Sequence, residues 1–159
     1  MIEDPDFIEL GARRQGGTRT LSVLIVGDDE AMRESIRAIL ETDPTLRVAG
    51  SADGAPSAIT VGRSTQPDVA VIDVDMPGGE GWAAVQGLRT VCPCIRVVAH
   101  SSCDGAPVTR ALSVAGVSAY VTEGSDIALL LAAVHGRQAT FEPPRVTWQV
   151  EMATAVAVG

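Results

Sequence analysis

Five short apolar runs divide the chain, each followed by polar residues and then by apolar positions at helical spacing. The first run, Leu21-Ser22-Val23-Leu24-Ile25-Val26, ends at Gly27-Asp28-Asp29-Glu30. Met32, Ile36, Ile39 and Leu40 then recur at i, i+4, i+7 and i+8, the stripe of an amphipathic helix that Asp43-Pro44 closes. Leu46 to Gly50 reads as a second strand, and Gly54 to Arg63 as a weaker helix with Ala55, Ala58 and Ile59 inward. Val69 to Asp73 is a third strand, Trp82 to Val91 a third helix, and Ile95 to Ala99 a fourth strand. Val108, Ala111, Leu112 and Ala115 make a fourth helical stripe, Val117 to Val121 a fifth strand, and Ile127, Leu130, Leu131 and Val134 a fifth helix. Ser125 and Asp126 are both candidate N-caps for that last helix.

The third run, Val69 to Ile72, is unbroken and apolar rather than alternating, as expected where both faces of a sheet are covered. The strands recur at intervals of roughly 25 residues, too long for hairpins and suited to right-handed βαβ crossovers. The expected fold is therefore α/β, a five-stranded doubly wound parallel sheet, flavodoxin-like with strand order 2-1-3-4-5, and five flanking helices. Residues 1–19, with mixed charges and Gly11, Gly16 and Gly17, read as a flexible N-terminal arm. Residues 20–136 form the domain, and 137–159 a linker or C-terminal tail. In that tail Glu142-Pro143-Pro144 reads as a spacer, while Val146, Trp148 and Val150 alternate like an edge strand.

Composition narrows the function. Aromatics are only 3% of the residues, so the core must be built from Val, Ile, Leu and Ala. The net charge of −8 repels a phosphate backbone, which argues against direct nucleic-acid binding by this chain. All 12 basic residues are Arg, and Lys is absent. The acidic start lacks the pattern of a signal peptide, and no apolar run reaches the roughly 18 residues of a membrane span. Three Cys without an export signal suggest reduced thiols and a cytoplasmic protein with no membrane role.

The candidate chemistry lies in carboxylates at strand ends. Asp73 ends the third run and is followed by the turn Met76-Pro77-Gly78-Gly79-Glu80-Gly81, while Asp28 and Asp29 follow the first. In the expected strand order those two strands are neighbours and their exits flank the switch point. Three converging carboxylates would repel one another unless a cation sat among them, and oxygen-only ligands suit Mg²⁺. A carboxylate beside such a metal can act as a nucleophile towards phosphorus, giving an aspartyl-phosphate. Asp28 and Asp29 could equally be a helix N-cap with favourable dipole charge.

On these residues the chain resembles the CheY-like receiver domain of response regulators in two-component signalling, over about residues 20–136. The residues that carry the resemblance are the acidic pair Asp28-Asp29, Asp73 with Met76, Pro77 and Gly81 behind it, Ser101 after the fourth strand, and Gly116 with Tyr120 at the fifth. The resemblance implies that Asp73 accepts a phosphoryl group from a histidine kinase or phosphotransfer protein, in a phosphorelay. It implies that Asp29, with Asp28 assisting through water, joins Asp73 in holding Mg²⁺. It further implies that Ser101 binds the phosphate and that Tyr120 changes rotamer as the Ser101 loop moves. The face of the fourth helix, fifth strand and fifth helix would then bind an output domain or partner protein, or pair two copies as a homodimer. Such a protein is a switch rather than an enzyme, with at most self-dephosphorylation.

One departure is marked. The family carries a Lys three residues after the aromatic, and here that position is Glu123, followed by Gly124. An inward Glu123 at 4 Å from a like charge would cost about 4 kcal/mol at an effective dielectric near 20. Asp75 adds another acid two residues after Asp73. The rival expectations are a degenerate pseudo-receiver that binds partners without phosphorylation, and a haloacid-dehalogenase-like phosphohydrolase, whose Asp-x-Asp signature Asp73 and Asp75 resemble. Blander readings stand beside several residues. Ser102 competes with Ser101 by one position, Tyr120 reads equally as a plain half-buried aromatic, and Cys92-Pro93-Cys94 and Cys103 read as packing residues. His100 reads as a loop residue and His135 as a helix end.

Overall fold

In a computed structural model of the chain, residues 19–102 and 116–137 are described. Five parallel strands form one sheet in the order β2-β1-β3-β4-β5, as the sequence pattern predicts. They are β1 (Leu21–Val26), β2 (Leu46–Ala52), β3 (Val69–Asp73), β4 (Arg96–Ser101) and β5 (Ala119–Thr122). The helices among the described residues are α1 (Glu30–Leu40), α2 (Ala55–Thr65), α3 (Glu80–Val91) and α4 (Ile127–His135). The last of these is the fifth helix of the sequence pattern. The expected fourth helix at Val108–Ala115, Cys103, the N-terminal arm up to residue 18 and the tail from residue 138, with its expected edge strand, lie outside the described residues.

The apolar runs of the three central strands, β1, β3 and β4, are buried on both faces and do not alternate, whereas the edge strand β5 alternates buried and partly buried residues. Leu24, Val26, Ala70, Ile72 and Val97 face a core completed by Ala58 of α2 and Ala84, Val85 and Leu88 of α3. Val23, Ile25, Val69, Val71 and Val98 face the opposite core, completed by Ile36 and Leu40 of α1 and by Leu130, Ala133 and Val134 of α4. Val69 to Ile72 are wholly buried, and the Val69, Val71 and Ile72 side chains contribute about 2 kcal/mol each. That local excess holds β3 in place while Asp73, one residue further, keeps part of its surface in solvent.

The ends of the elements have separate causes. Asp29 N-caps α1, its carboxylate accepting from the backbone N–H groups of Ala31 and Met32. The N-cap of α2 is Gly54, and Glu80 from α3 supplies an anion instead, accepting from the Ala55 N–H at 2.8 Å. Of the two N-cap candidates for α4, Asp126 takes the role, accepting from the Ala128 N–H at 2.9 Å. Between β3 and α3 the chain makes a short 3-10 turn at Pro77–Gly79, with Gly78 and Gly79 in the left-handed region. Gly81 then passes so close to β3 that a Cβ there would lie 2.6 Å from the Asp73 carbonyl oxygen and 2.7 Å from Val74 Cα.

Candidate functional site

The C-terminal ends of β1, β3 and β4 bring the candidate residues together. Register pairs Val26 with Ile72, and Asp73 with His100. Gly27 is thus the residue that flanks Asp73 on the β1 side, and a Cβ on it would lie 3.4 Å from Asp73 Cβ. The two acids after β1 therefore stand one and two residues beyond Gly27, and their surroundings differ.

Asp28 is exposed and lies close enough to Asp73 to push its carboxyl up. Asp29, also exposed, has Oδ1 committed to the α1 N-terminus, at 2.8 Å from the Ala31 nitrogen and 3.2 Å from that of Met32. The carboxylate of Asp73 is raised above its ordinary range first by burial, then by the nearby charges of Asp75 and Asp28. The Asp75 backbone N–H, donated to Asp73 Oδ1 at 2.8 Å, and the neighbouring His100 imidazole pull it the other way. Among the described residues no group of three His, Cys, Asp or Glu side chains stands at metal-holding distance. A pair of neighbouring carboxylates, Asp73 and Asp28, still fits Mg²⁺, which is commonly held by one or two carboxylates with water completing its shell.

Ser101 closes β4 rather than beginning a loop, because the strand runs two residues beyond Ala99. It is only 1% exposed, and its hydroxyl donates to Asp75 Oδ2 at 2.7 Å. Ser102 adds its backbone N–H at 2.7 Å and its hydroxyl at 3.0 Å to the same oxygen. Burial works to raise the Asp75 carboxyl, but these bonds outweigh it and hold the group below its ordinary value. Tyr120 lies on β5 opposite Ala99 and is half-buried, packed with Trp82 and Val117 against Val74 and Ala99.

Glu123 is exposed, and its backbone N–H donates to the Ser101 carbonyl at 2.7 Å. It lines a groove of about 480 Å³ between α1 and α4, with Asp29, Met32, His100, Ile127 and Leu130 among the other walls. Glu123 is thus on the exposed side of the site rather than turned inward, the arrangement for which the large like-charge cost was considered.

Residues 23–135 match the family model of the response regulator receiver domain. The chain belongs to that family. It is 34% identical over 114 residues to the response regulator GacA of Pseudomonas viridiflava, covering 72% of this chain and 53% of the relative. It is 33% identical over 108 residues to protein-glutamate methylesterase/protein-glutamine glutaminase 1 of Geobacter sulfurreducens, covering 67% of this chain and 30% of that protein. Among solved structures, a two-component response regulator of the LuxR family from Aurantimonas sp. SI85-9A1 superposes with a TM-score of 0.71 at 29% identity, covering 79% of this chain and 91% of the other. The response regulator domain of Thermotoga maritima CheB gives a TM-score of 0.62 at 26% identity, covering 72% and 89%. This receiver spans about half the length of the GacA relatives it matches.

Two features of the receiver site escape a reading of the sequence. His100, expected in a loop, is a β4 residue only 9% exposed and in register with Asp73. A polar residue after an apolar run looks like a strand exit, and nothing local says that the ladder continues. The capture of Ser101 and Ser102 by Asp75 joins residues 26 and 27 positions apart, a separation at which sequence carries no contact signal.

Proposed function

We propose that this receiver accepts a phosphoryl group on Asp73 from a histidine kinase or phosphotransfer protein, with Mg²⁺ held by Asp73 and Asp28, and so switches a protein-binding face. The observation that carries the proposal is the placing of Asp73 at the lip of β3, half-buried, with Asp28 beside it and the Asp75 N–H on its Oδ1. In the transfer an Asp73 carboxylate oxygen attacks phosphorus, the bond from phosphorus to the donor nitrogen breaks, and the imidazole leaves with its electron pair. Bound Mg²⁺ would neutralise charge on the carboxylates and the transferring group. The Asp75 N–H orients the Asp73 carboxylate, and burial limits the reach of water to it. Asp28 is preferred to Asp29 as the second metal-holding residue because Asp29 already caps α1.

The family and the upstream position of Asp28 disfavour the phosphohydrolase reading, in which the further acidic pair lies downstream. We place the protein in the cytoplasm, acting as a switch rather than an enzyme. Among the described residues no helix is long and apolar enough to cross a membrane. Its output would be a domain or partner protein docking near β5 and α4, where Ile127 and Leu129 are 51% and 46% exposed, or a second copy forming a homodimer. The phosphorylation-independent alternative draws support from Glu123 at the family's Lys position and from the prior engagement of Ser101 by Asp75.

The test is intact mass after incubation with acetyl phosphate and Mg²⁺, with Asp73→Asn alongside. A gain of one phosphoryl group that the variant lacks is the expected result. No adduct on the unsubstituted chain, with an adduct restored by Glu123→Lys, would leave the interaction module as the function.

A further inference from the structure

Three hydrogen-bond donors at the end of β4 converge on a single carboxylate oxygen. Ser101 Oγ and the Ser102 N–H each lie 2.7 Å from Asp75 Oδ2, and Ser102 Oγ lies 3.0 Å from it. Donors gathered in this way are the usual means of gripping a charged oxygen, whether of a carboxylate or of a phosphoryl group. The same Asp75 gives its backbone N–H to Asp73 Oδ1 at 2.8 Å, so one residue joins the proposed acceptor to the end of β4. The tie continues into β5: the Glu123 N–H donates to the Ser101 carbonyl at 2.7 Å, Ser101 pairs with Thr122, and Tyr120 packs half-buried against Ala99.

We infer that Asp75 is an internal stand-in for a phosphoryl oxygen. Its Oδ2 occupies the Ser101 hydroxyl and the Ser102 amide, which holds the ends of β4 and β5 inward before Asp73 is modified. A phosphoryl group arriving on Asp73 must displace this carboxylate to reach those donors, so the switch starts from a partly drawn-in position and travels less than it would without Asp75. The inference rests on Asp73 as the phosphoryl acceptor and assigns Asp75 a positioning role at that site.

The experiment is amide NMR on the full chain and on Asp75→Ala and Ser101→Ala, before and after beryllofluoride with Mg²⁺, with Asp73→Asn as a control. Asp75 is exposed, so its truncation leaves the core intact. Without ligand, both substitutions are expected to shift the Tyr120 amide as well as that of Ser102. Beryllofluoride with Mg²⁺ should return Tyr120 of Asp75→Ala towards its original position while moving it little in the unsubstituted chain. The half-saturating beryllofluoride concentration should fall about tenfold in Asp75→Ala, the size of one charge-assisted hydrogen bond. An unmoved Tyr120 amide in ligand-free Asp75→Ala would overturn the inference. So would a Tyr120 response to beryllofluoride as large in the unsubstituted chain as in the variant. If the residues around Asp73 ignore beryllofluoride in every protein, phosphoryl acceptance on Asp73 fails, and with it the stand-in role of Asp75.

Discussion

Asp28 and Asp29 are adjacent, identical and both exposed, yet their surroundings assign them different work. Asp29 stabilises the first turn of α1, a contact worth about 1 kcal/mol when such a cap is truncated to Ala. Asp28 instead adds its charge to that felt by Asp73. Asn is as good an N-cap as Asp, so Asp29→Asn keeps the helix start and changes only charge. Titrated with Mg²⁺ and followed through the Asp73 amide, Asp28→Asn should lose at least tenfold in affinity, about 1.4 kcal/mol, whereas Asp29→Asn should stay within about threefold. Equal losses in the two variants would restore Asp29 to the metal site. The sequence shows an acidic pair after a strand. Which member faces Asp73 depends on where the ladder stops, and the stop at Val26 puts Gly27 beside Asp73.

At the level of elements, the β3–α3 connection is the tightest join in the site. The start of α3 is pressed against β3, and Gly81 meets backbone atoms that cannot rotate away. Gly87, in the middle of α3, meets only the Ile59 side chain, 2.3 Å from where a Cβ would sit. Gly81→Ala should therefore destabilise the fold by about 1–3 kcal/mol in urea unfolding, as overpacking does. It should also shift the Asp73 and Asp75 amides. Gly87→Ala should cost less, because Ile59 can change rotamer and Ala favours a helix by up to about 1 kcal/mol over Gly. A Gly81→Ala protein as stable as its parent would show that the α3 start is free to move. The placing of Gly81 eight residues after Asp73 was readable as a family feature. Its physical reason, a helix start lying on a strand end, was not.

Across the whole molecule, α1 and α4 are joined at their C-terminal ends by Asp43 and His135, whose Oδ2 and Nε2 lie 2.8 Å apart. The Thr45 hydroxyl and then the His135 contact hold the Asp43 carboxyl down to about 2, against an ordinary 3.8. Because the folded value is the lower one, the ionised group favours the folded state above about pH 4, and that contribution fades as the pH falls towards 2. Asp43→Asn should accordingly be less stable than the unsubstituted chain at pH 6, with the gap closing between pH 4 and 2 in urea titrations. A gap that stays constant over that range would mean that ionisation of Asp43 contributes nothing. The sequence alone determined the parallel sheet and most of the helices, while its strand order came from the flavodoxin-like pattern that the chain resembles. Burial of both sheet faces leaves unbroken apolar runs, and crossover connections leave a regular spacing between them. It also determined that Asp73 ends a strand, because a carboxylate cannot continue a buried run. Only the tertiary structure decided how the acids around Asp73 divide their roles, with Asp28 beside it, Asp29 on a helix end and Asp75 holding Ser101 and Ser102. Those assignments depend on distances of a few ångströms between residues far apart in the chain, which periodicity and composition do not encode.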